Sequence, residues 1–435
     1  MTPAETNTLT DVELVSIGAD IQFLSNAALA ALRNTVSNPN LLCSPHKAQI
    51  ESITPTQISA LTPAQVRFIG SAETGVSKIA GLNSDTFTTL VSNTAQVAAL
   101  TVAEVGTLPS SKFVLIGANF SSLTDAVIAS LNETVISSPI NTVAQIYSIT
   151  PGQIDTLTPA RVRLLGASDT GLSKIAFLNP STFARLVSNP QQVAALTVAE
   201  IATLNSTQFS AVGTNFNLLG NDILASLKAT YNASPTNSQS QIAGITPAQI
   251  ALLTPAQVRL LGSADNGVSK INFLAAITFA QLASDSAQVA AITPLEITTL
   301  YTDKIKGLGT NISHLSDAAL GNFNYTCPIS ISNPQCQVGS IEYVQIPAFS
   351  QAQIMIIAAM NAGKGIAYLS PTAFGGLQPT QVTALMASHV VNVSAAQLAA
   401  LREATLSAFP AATISSFTPA QKSLLTASQH TACGC

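Results

Sequence analysis

The stretch ITPTQISALTPAQVRFIGSAETGVSKIAGLN, Ile53–Asn83, decides the fold. It opens with two octads in tandem, Thr54-Pro55-Thr56-Gln57-Ile58 and Thr62-Pro63-Ala64-Gln65-Val66. In each, the Thr hydroxyl is placed to cap the backbone N–H of the third helical residue. Gln at that third position reaches back to the N–H of the cap residue, which completes a capping box. Pro fills the first helical position, where no N–H is needed and φ is already set. Residues five and eight of the octad, Ile58 and Leu61, lie three apart and share a face. Each octad therefore starts a helix of about two turns, and the next Thr-Pro starts another. A helix that short does not persist alone, because nucleation is costly below about 12–15 residues. Its stability must come from stacking on neighbours. Strands would show alternating apolar positions rich in β-branched residues. Here the apolar spacing is three and four.

Outward from this stretch, the chain repeats. ITPGQIDTLTPARVRLLGASDTGLSKIAFLN starts at Ile149 and ITPAQIALLTPAQVRLLGSADNGVSKINFL at Ile245, each 96 residues after its predecessor. Phe87, Phe183 and Phe279 keep step, as do Glu104, Glu200 and Glu296. Related segments run from Leu14, Phe113, Phe209 and Ile305. The division that follows is a partial repeat over 1–52 and units over 53–148, 149–244 and 245–340. A divergent unit or cap over 341–435 completes it, where QIMIIAAMNAGKGIAYLSPTAF reads as a worn copy. An atypical end unit suits a capped array. The expected fold is all-α: a superhelical, ARM-like α-solenoid of short capped helices, with a repeat of about 96 residues built from octads.

Composition narrows the function classes. Only 9 % of the 435 residues are charged, the net charge is −4, aromatics are 5 % and Trp is absent, while 47 % are hydrophobic. Mean hydropathy is +0.39. Phosphate neutralisation takes clustered Lys and Arg, so no nucleic-acid partner is expected. Disordered chains are poor in apolar residues and rich in charge. The longest apolar run, Ile354 to Met360, falls short of the roughly 18–20 residues of a membrane span. The opening MTPAETNTLT carries no basic and apolar signal regions, and HTACGC has no apolar tail of the anchor-signal kind. On this reading the chain is either cytosolic or a mature or trimmed form.

Few residues invite chemistry. Arg67, Arg163 and Arg259 share one repeat position, and Glu73, Asp169 and Asp265 another. Gly75, Gly171 and Gly267 follow the acids, then Lys78, Lys174 and Lys270. One reading is a polar ladder open to a glycan or an acidic partner. The preferred reading is a structural ion pair repeated in each unit, because each set, counted with the recurrent Glu104, Glu200 or Glu296, is balanced in charge. Gly70, Gly166, Gly262, Gly117 and Gly213 are expected to end helices in the left-handed conformation. The four histidines have no ligand or triad spacing and no G-x-S-x-G occurs, so neither an enzyme nor a cofactor or metal is expected.

Of the five cysteines, Cys327 and Cys336 flank a loop that suits a local disulfide. Cys433 and Cys435 are too close in sequence to bridge easily, and Cys43 stands apart. Sequons occur at Asn119, Asn132, Asn205, Asn232, Asn311, Asn324 and Asn392. In a chain so rich in Asn, Ser and Thr several arise by chance, so they permit glycosylation without demonstrating it.

The motifs L-T-P-A-Q-V-R-L-L-G, L-T-V-A-E-[VI] (Leu100–Val105 and Leu196–Ile201) and G-[VL]-S-K-I-x-x-L resemble the mesothelin, stereocilin and otoancorin superfamily. The likeness is clearest over Ile53–Tyr301. It implies an extracellular or cell-surface protein that acts in cell or matrix adhesion through a glycoprotein or matrix partner. The low charge and nearly identical units depart from that family, and its furin-type site has no basic run to match here. The alternative is a self-assembling filament or surface-array subunit, since little charge repulsion opposes end-to-end packing.

Overall fold

A computed structural model of the chain describes residues 1–34, 48–70, 72–73, 76–132, 144–166, 173–229, 240–262, 264–265, 267–325 and 336–435. The fold is an all-α helical repeat of the solenoid type, built from short helices that start where the octads predict. Pro55–Ala60 and Pro63–Ile69 each begin one residue after a capping Thr. The Thr54 and Thr62 hydroxyls accept the Gln57 and Gln65 N–H at 3.3 Å, and each Gln Oε1 accepts the Thr N–H at 2.9 Å. The same box closes at Thr150, Thr246, Ser350, Ser394, Thr418 and Thr426. Ile58 and Leu61 are buried, as are Val66 and Ile69. No helix among the described residues is long and apolar enough to cross a membrane.

Two compact units emerge, Met1–Leu204 and Asn205–Cys435. In the first, Pro55–Ala60 packs between Gly18–Phe23 and Ser84–Ser92, and Pro63–Ile69 packs between Asn26–Ala31 and Thr94–Ala99. An edge-to-face pair, Phe113 on Phe120 with centroids 5.8 Å apart, fills its core. In the second, Pro255–Gly262 packs between Asn221–Ser226 and Ser286–Ala290, and Phe209 on Phe216 repeats the aromatic pair at 5.4 Å.

Three features depart from the sequence expectation. First, Gly70 keeps a right-handed φ of −71°, and neither Gly166 nor Gly262 has a positive φ. Space is the reason for glycine there: a Cβ would lie 1.7, 1.6 and 1.3 Å from Oε1 of Glu104, Glu200 and Glu296. Gly117 and Gly213 do take positive φ, 54° and 57°, where an α-helix passes into a 3-10 turn. Second, two-residue hairpins, Ala72–Glu73 with Val76–Ser77 and Ala264–Asp265 with Val268–Ser269, interrupt the helices.

Third, the divergent unit carries, after its worn copy, the most regular octads among the described residues. Helices there begin at Pro371, Pro379, Ala387, Ala395, Glu403, Ala411, Pro419 and Ala427, eight residues apart. Each of the first five packs on the third helix after it, so three octads make one coil. Just before this stretch, Met360–Ala362 break the helix Gln351–Gly363, with φ of 48° at Asn361 and 55° at Ala362.

Candidate functional site

The polar residues that recur do not gather in a cleft. They lie between coils, and glutamine is the commonest of them. A capping-box Gln uses Oε1 on its own helix and turns Nε2 to carbonyls at the C-terminal end of a helix one coil earlier. Gln57 reaches Leu14 O at 2.6 Å, Gln153 reaches Phe113 O at 3.1 Å and Gln249 reaches Phe209 O at 3.1 Å. Helix-end carbonyls have no partner within their own helix. One amide thus satisfies two helix ends without introducing charge.

Gln96, Gln192 and Gln288 fill only half of this role. Their Nε2 groups meet two carbonyls each, but their buried Oε1 atoms have no partner. The cause is local. Asn93, Asn189 and Asp285 cap one helix while closing another, so their N–H groups already serve Leu90, Leu186 and Leu282.

The recurrent cations do the same work as glutamine. Lys78, Lys174 and Lys270 are buried, with Nζ on Ala30 O at 2.6 Å and Leu32 O at 2.9 Å, on Ala129 O at 2.6 Å and on Ala225 O at 2.7 Å. Lys304 donates to Leu274 O at 2.9 Å, and Lys112 donates to Ala80 O and Leu82 O. Burial pushes the ammonium pKa of Lys112 and Lys304 down. Arg67, Arg163 and Arg259 place Nε on the Ala99, Ala195 and Ala291 carbonyls at 3.0, 2.9 and 3.3 Å. Of the acids expected to complete the repeated ion pair, Asp169 lies outside the described residues, and Glu73 and Asp265 are described only through their backbone in the hairpins. The pairing itself therefore falls outside the described residues.

A different set of acids faces the arginines. Glu104, Glu200 and Glu296 occupy the glutamine position, are at most 5 % exposed and accept a Thr N–H at 2.6, 2.6 and 2.5 Å. Burial raises their pKa, opposed by the Thr N–H and hydroxyl and by Arg67, Arg163 and Arg259 respectively. Their strict recurrence was visible in the sequence, but nothing there showed that they sit across from arginine. His389 is a further variant: its Nδ1 accepts the Met386 N–H at 3.1 Å, and burial lowers its pKa.

The sequons fall in unlike places. Asn119 Nδ2 donates to Val91 O at 2.8 Å and Ser92 O at 3.1 Å, and Asn311 Nδ2 to Ala283 O at 2.8 Å. Asn132 donates to Gln145 Oε1 at 3.4 Å, and Asn205 caps a helix through Gln208 N–H at 2.9 Å. Asn324 is half-buried, Asn392 is exposed and Asn232 lies outside the described residues.

Cys336 is buried, while Cys327 and Cys43 lie outside the described residues, so the expected Cys327–Cys336 bridge does too. Against expectation, Cys433 and Cys435 form a disulfide. Gly434 takes φ 63° between them, which sets their Cα atoms 5.3 Å apart, within disulfide range.

In the second unit an open groove of about 450 Å³ is lined by Lys306, Ser340, Glu342, Tyr343, Ser370 and Thr372 among others. Arg402 Nη2 donates to the Tyr343 hydroxyl at its side. Among the described residues, no group of three or more His, Cys, Asp or Glu side chains is placed to hold a metal ion. No known protein-family model matches the chain, and no curated protein matches it in sequence.

Proposed function

We propose that this chain is an extracellular or cell-surface adhesion module of the mesothelin-like type, which binds a glycoprotein or matrix partner through its solenoid surface. The observation that supports this reading is the use made of the recurrent polar groups. Gln, Lys and Arg are committed to joining coil to coil, which leaves a scaffold with a charge-poor exterior. Large apolar side chains stand out from it, among them Val12 and Phe23 in the first unit and Ile277, Leu295 and Val391 in the second. Such side chains are ordinary on a protein surface when scattered singly, so the weight of the reading rests on the charge-poor exterior. On this reading the chain is not an enzyme and needs no cofactor, and Asn392 is, among the described sequons, the one most open to a glycan.

The test is attachment of cells to surfaces coated with the full chain, compared with a Phe23→Ser, Val12→Ser double variant of equal melting temperature. Attachment that falls with the variant supports adhesion through this surface. No attachment to any matrix-presenting cell overturns it. The alternative, a self-assembling array subunit, predicts a mass that grows with concentration in light scattering. The same low charge favours it, since exposed Lys and Glu would otherwise oppose packing of copies.

A further inference from the structure

The Cys433–Cys435 disulfide closes a loop around a single glycine, so it ties together nothing that the chain does not already hold close. Cross-links stabilise chiefly by restricting long loops in the unfolded chain, so this one adds little to the fold. The surroundings give it another use. Cys433 lies on the helix Ala427–Cys433, whose Gln429 anchors it to the previous coil through Ala399 O at 3.0 Å and Leu401 O at 2.8 Å. That holds Cys433 buried, while Cys435 is half-exposed. Cys433 Sγ lies 3.5 Å from the His430 carbonyl, an acceptor for a thiol hydrogen. His430 Nδ1 meets the Cys435 carbonyl at 2.9 Å, which fixes the second half of the loop. One sulfur is reachable and the other is sheltered beside an acceptor.

We propose that Cys433 and Cys435 form a thiol–disulfide exchange site whose substrates are exposed dithiols or disulfides of proteins and peptides. In the oxidising direction a substrate thiolate attacks Cys435 Sγ. The Cys433–Cys435 bond breaks, and Cys433 leaves as a thiolate, takes a proton from solvent and, as a thiol, hydrogen-bonds to the His430 carbonyl. A second substrate thiolate then attacks the substrate sulfur of the mixed disulfide. It releases Cys435 as a thiolate, which takes a proton from solvent. Two electrons pass from the substrate dithiol to the pair, and the substrate leaves as a disulfide. In reverse, the reduced pair attacks a substrate disulfide through Cys435, and Cys433 resolves the adduct.

The test uses the full chain equilibrated with reduced and oxidised glutathione in varied ratio, then acid-quenched and alkylated. Cleavage after Lys422 isolates the peptide Ser423–Cys435, which reports this pair apart from the other cysteines. The expected result is a single two-electron transition between disulfide and dithiol, with the thermal melt unchanged. Cys433→Ser should accumulate a glutathione adduct on Cys435 about tenfold above the wild type, because nothing resolves it. Cys435→Ser should stay near the wild-type level, because Cys433 is sheltered. Gly434→Ala keeps both thiols and should slow closure of the disulfide several-fold, since alanine disfavours the positive φ. The proposal fails if the pair stays oxidised in excess reduced glutathione, if its reduction melts the fold, or if the two serine variants take up glutathione equally.

Discussion

The repeated stretch and the run of helices from Pro371 to Cys433 use the same octad, yet they join their coils differently. In the later run, from Gln397 on, each joining side chain meets a carbonyl 28 residues back, and the glutamines add bonds 30 or 31 residues back. Gln397 meets Leu369 O, Thr405 meets Leu377 O, Thr413 meets Leu385 O, Gln421 meets Val393 O and Gln429 meets Leu401 O. Only Arg402, Glu403 and Lys422 are charged there, and none is buried. In the repeated stretch the reach varies: 35 and 38 residues at Gln192, 40 at Gln153 and 45 at Lys174. Nine-residue helices, 3-10 turns and hairpins lengthen the coils, and buried Lys and Glu join glutamine between them. An uninterrupted octad suffices for a coil closed by neutral side chains. Where extra elements enter, lysine joins glutamine in meeting the carbonyls of the previous coil.

The largest expected effect sets two glutamines against each other. Gln397→Leu strips the Ser394 N–H of its acceptor and the Leu369 carbonyl of its donor, and should cost about 3 kcal/mol in urea unfolding. Gln192→Leu removes donors from Ile154 O and Leu157 O but also removes the orphaned Oε1, so it should cost only about 1–2 kcal/mol. Equal losses would break the distinction between the two regions.

The next effect is a pair of opposed pH responses. Burial raises the Glu200 pKa, so the folded state holds a proton where the unfolded chain has lost it. Its contribution is greatest below the unfolded value near 4.5 and is lost as pH rises through the raised folded value. Burial lowers the His389 pKa, so its contribution is present above the unfolded value near 6.5 and is lost as pH falls through the folded one. The exposed Glu5 and Glu13 add a background of the same sign as His389, since Thr2 and Thr10 lower their pKa through backbone N–H bonds. Differences from wild type remove that background. Glu200→Gln should gain stability relative to wild type as pH rises, and His389→Gln as pH falls, both read from melting temperature across pH 4 to 8.

The smallest effect belongs to the exposed pair of Arg185 and Asp155, 2.7 Å apart in the repeated stretch. Solvent screens such a pair. Asp155→Asn should leave the thermal melt unchanged within error, which would separate surface pairing from the buried bonds between coils.

Much of this was legible in the residues. Thr-Pro-x-Gln gave the helix starts, the caps and the buried positions five and eight, because capping and periodicity are local. The strict recurrence of Glu104 with Glu200 and Glu296 was equally plain. Its meaning was not, since nothing local says that Glu200 faces Gly166 and Arg163. The same holds for Gly70, Gly166 and Gly262, where the constraint is a carboxylate from another coil rather than a backbone dihedral. The cysteines misled through separation alone. Cys433 and Cys435 looked too close to bridge until the left-handed Gly434 set their Cα distance.

The sequence by itself determined that the chain is an array of minimal helices, where each begins, and that charge would be scarce. These follow from hydrogen bonds within about four residues. Only the tertiary structure decided which carbonyl each Gln, Lys or Arg would meet, where an oxygen would be left orphaned and which three octads would close a coil. Those bonds join groups 28 to 48 residues apart, and such distances are fixed by how helices stack.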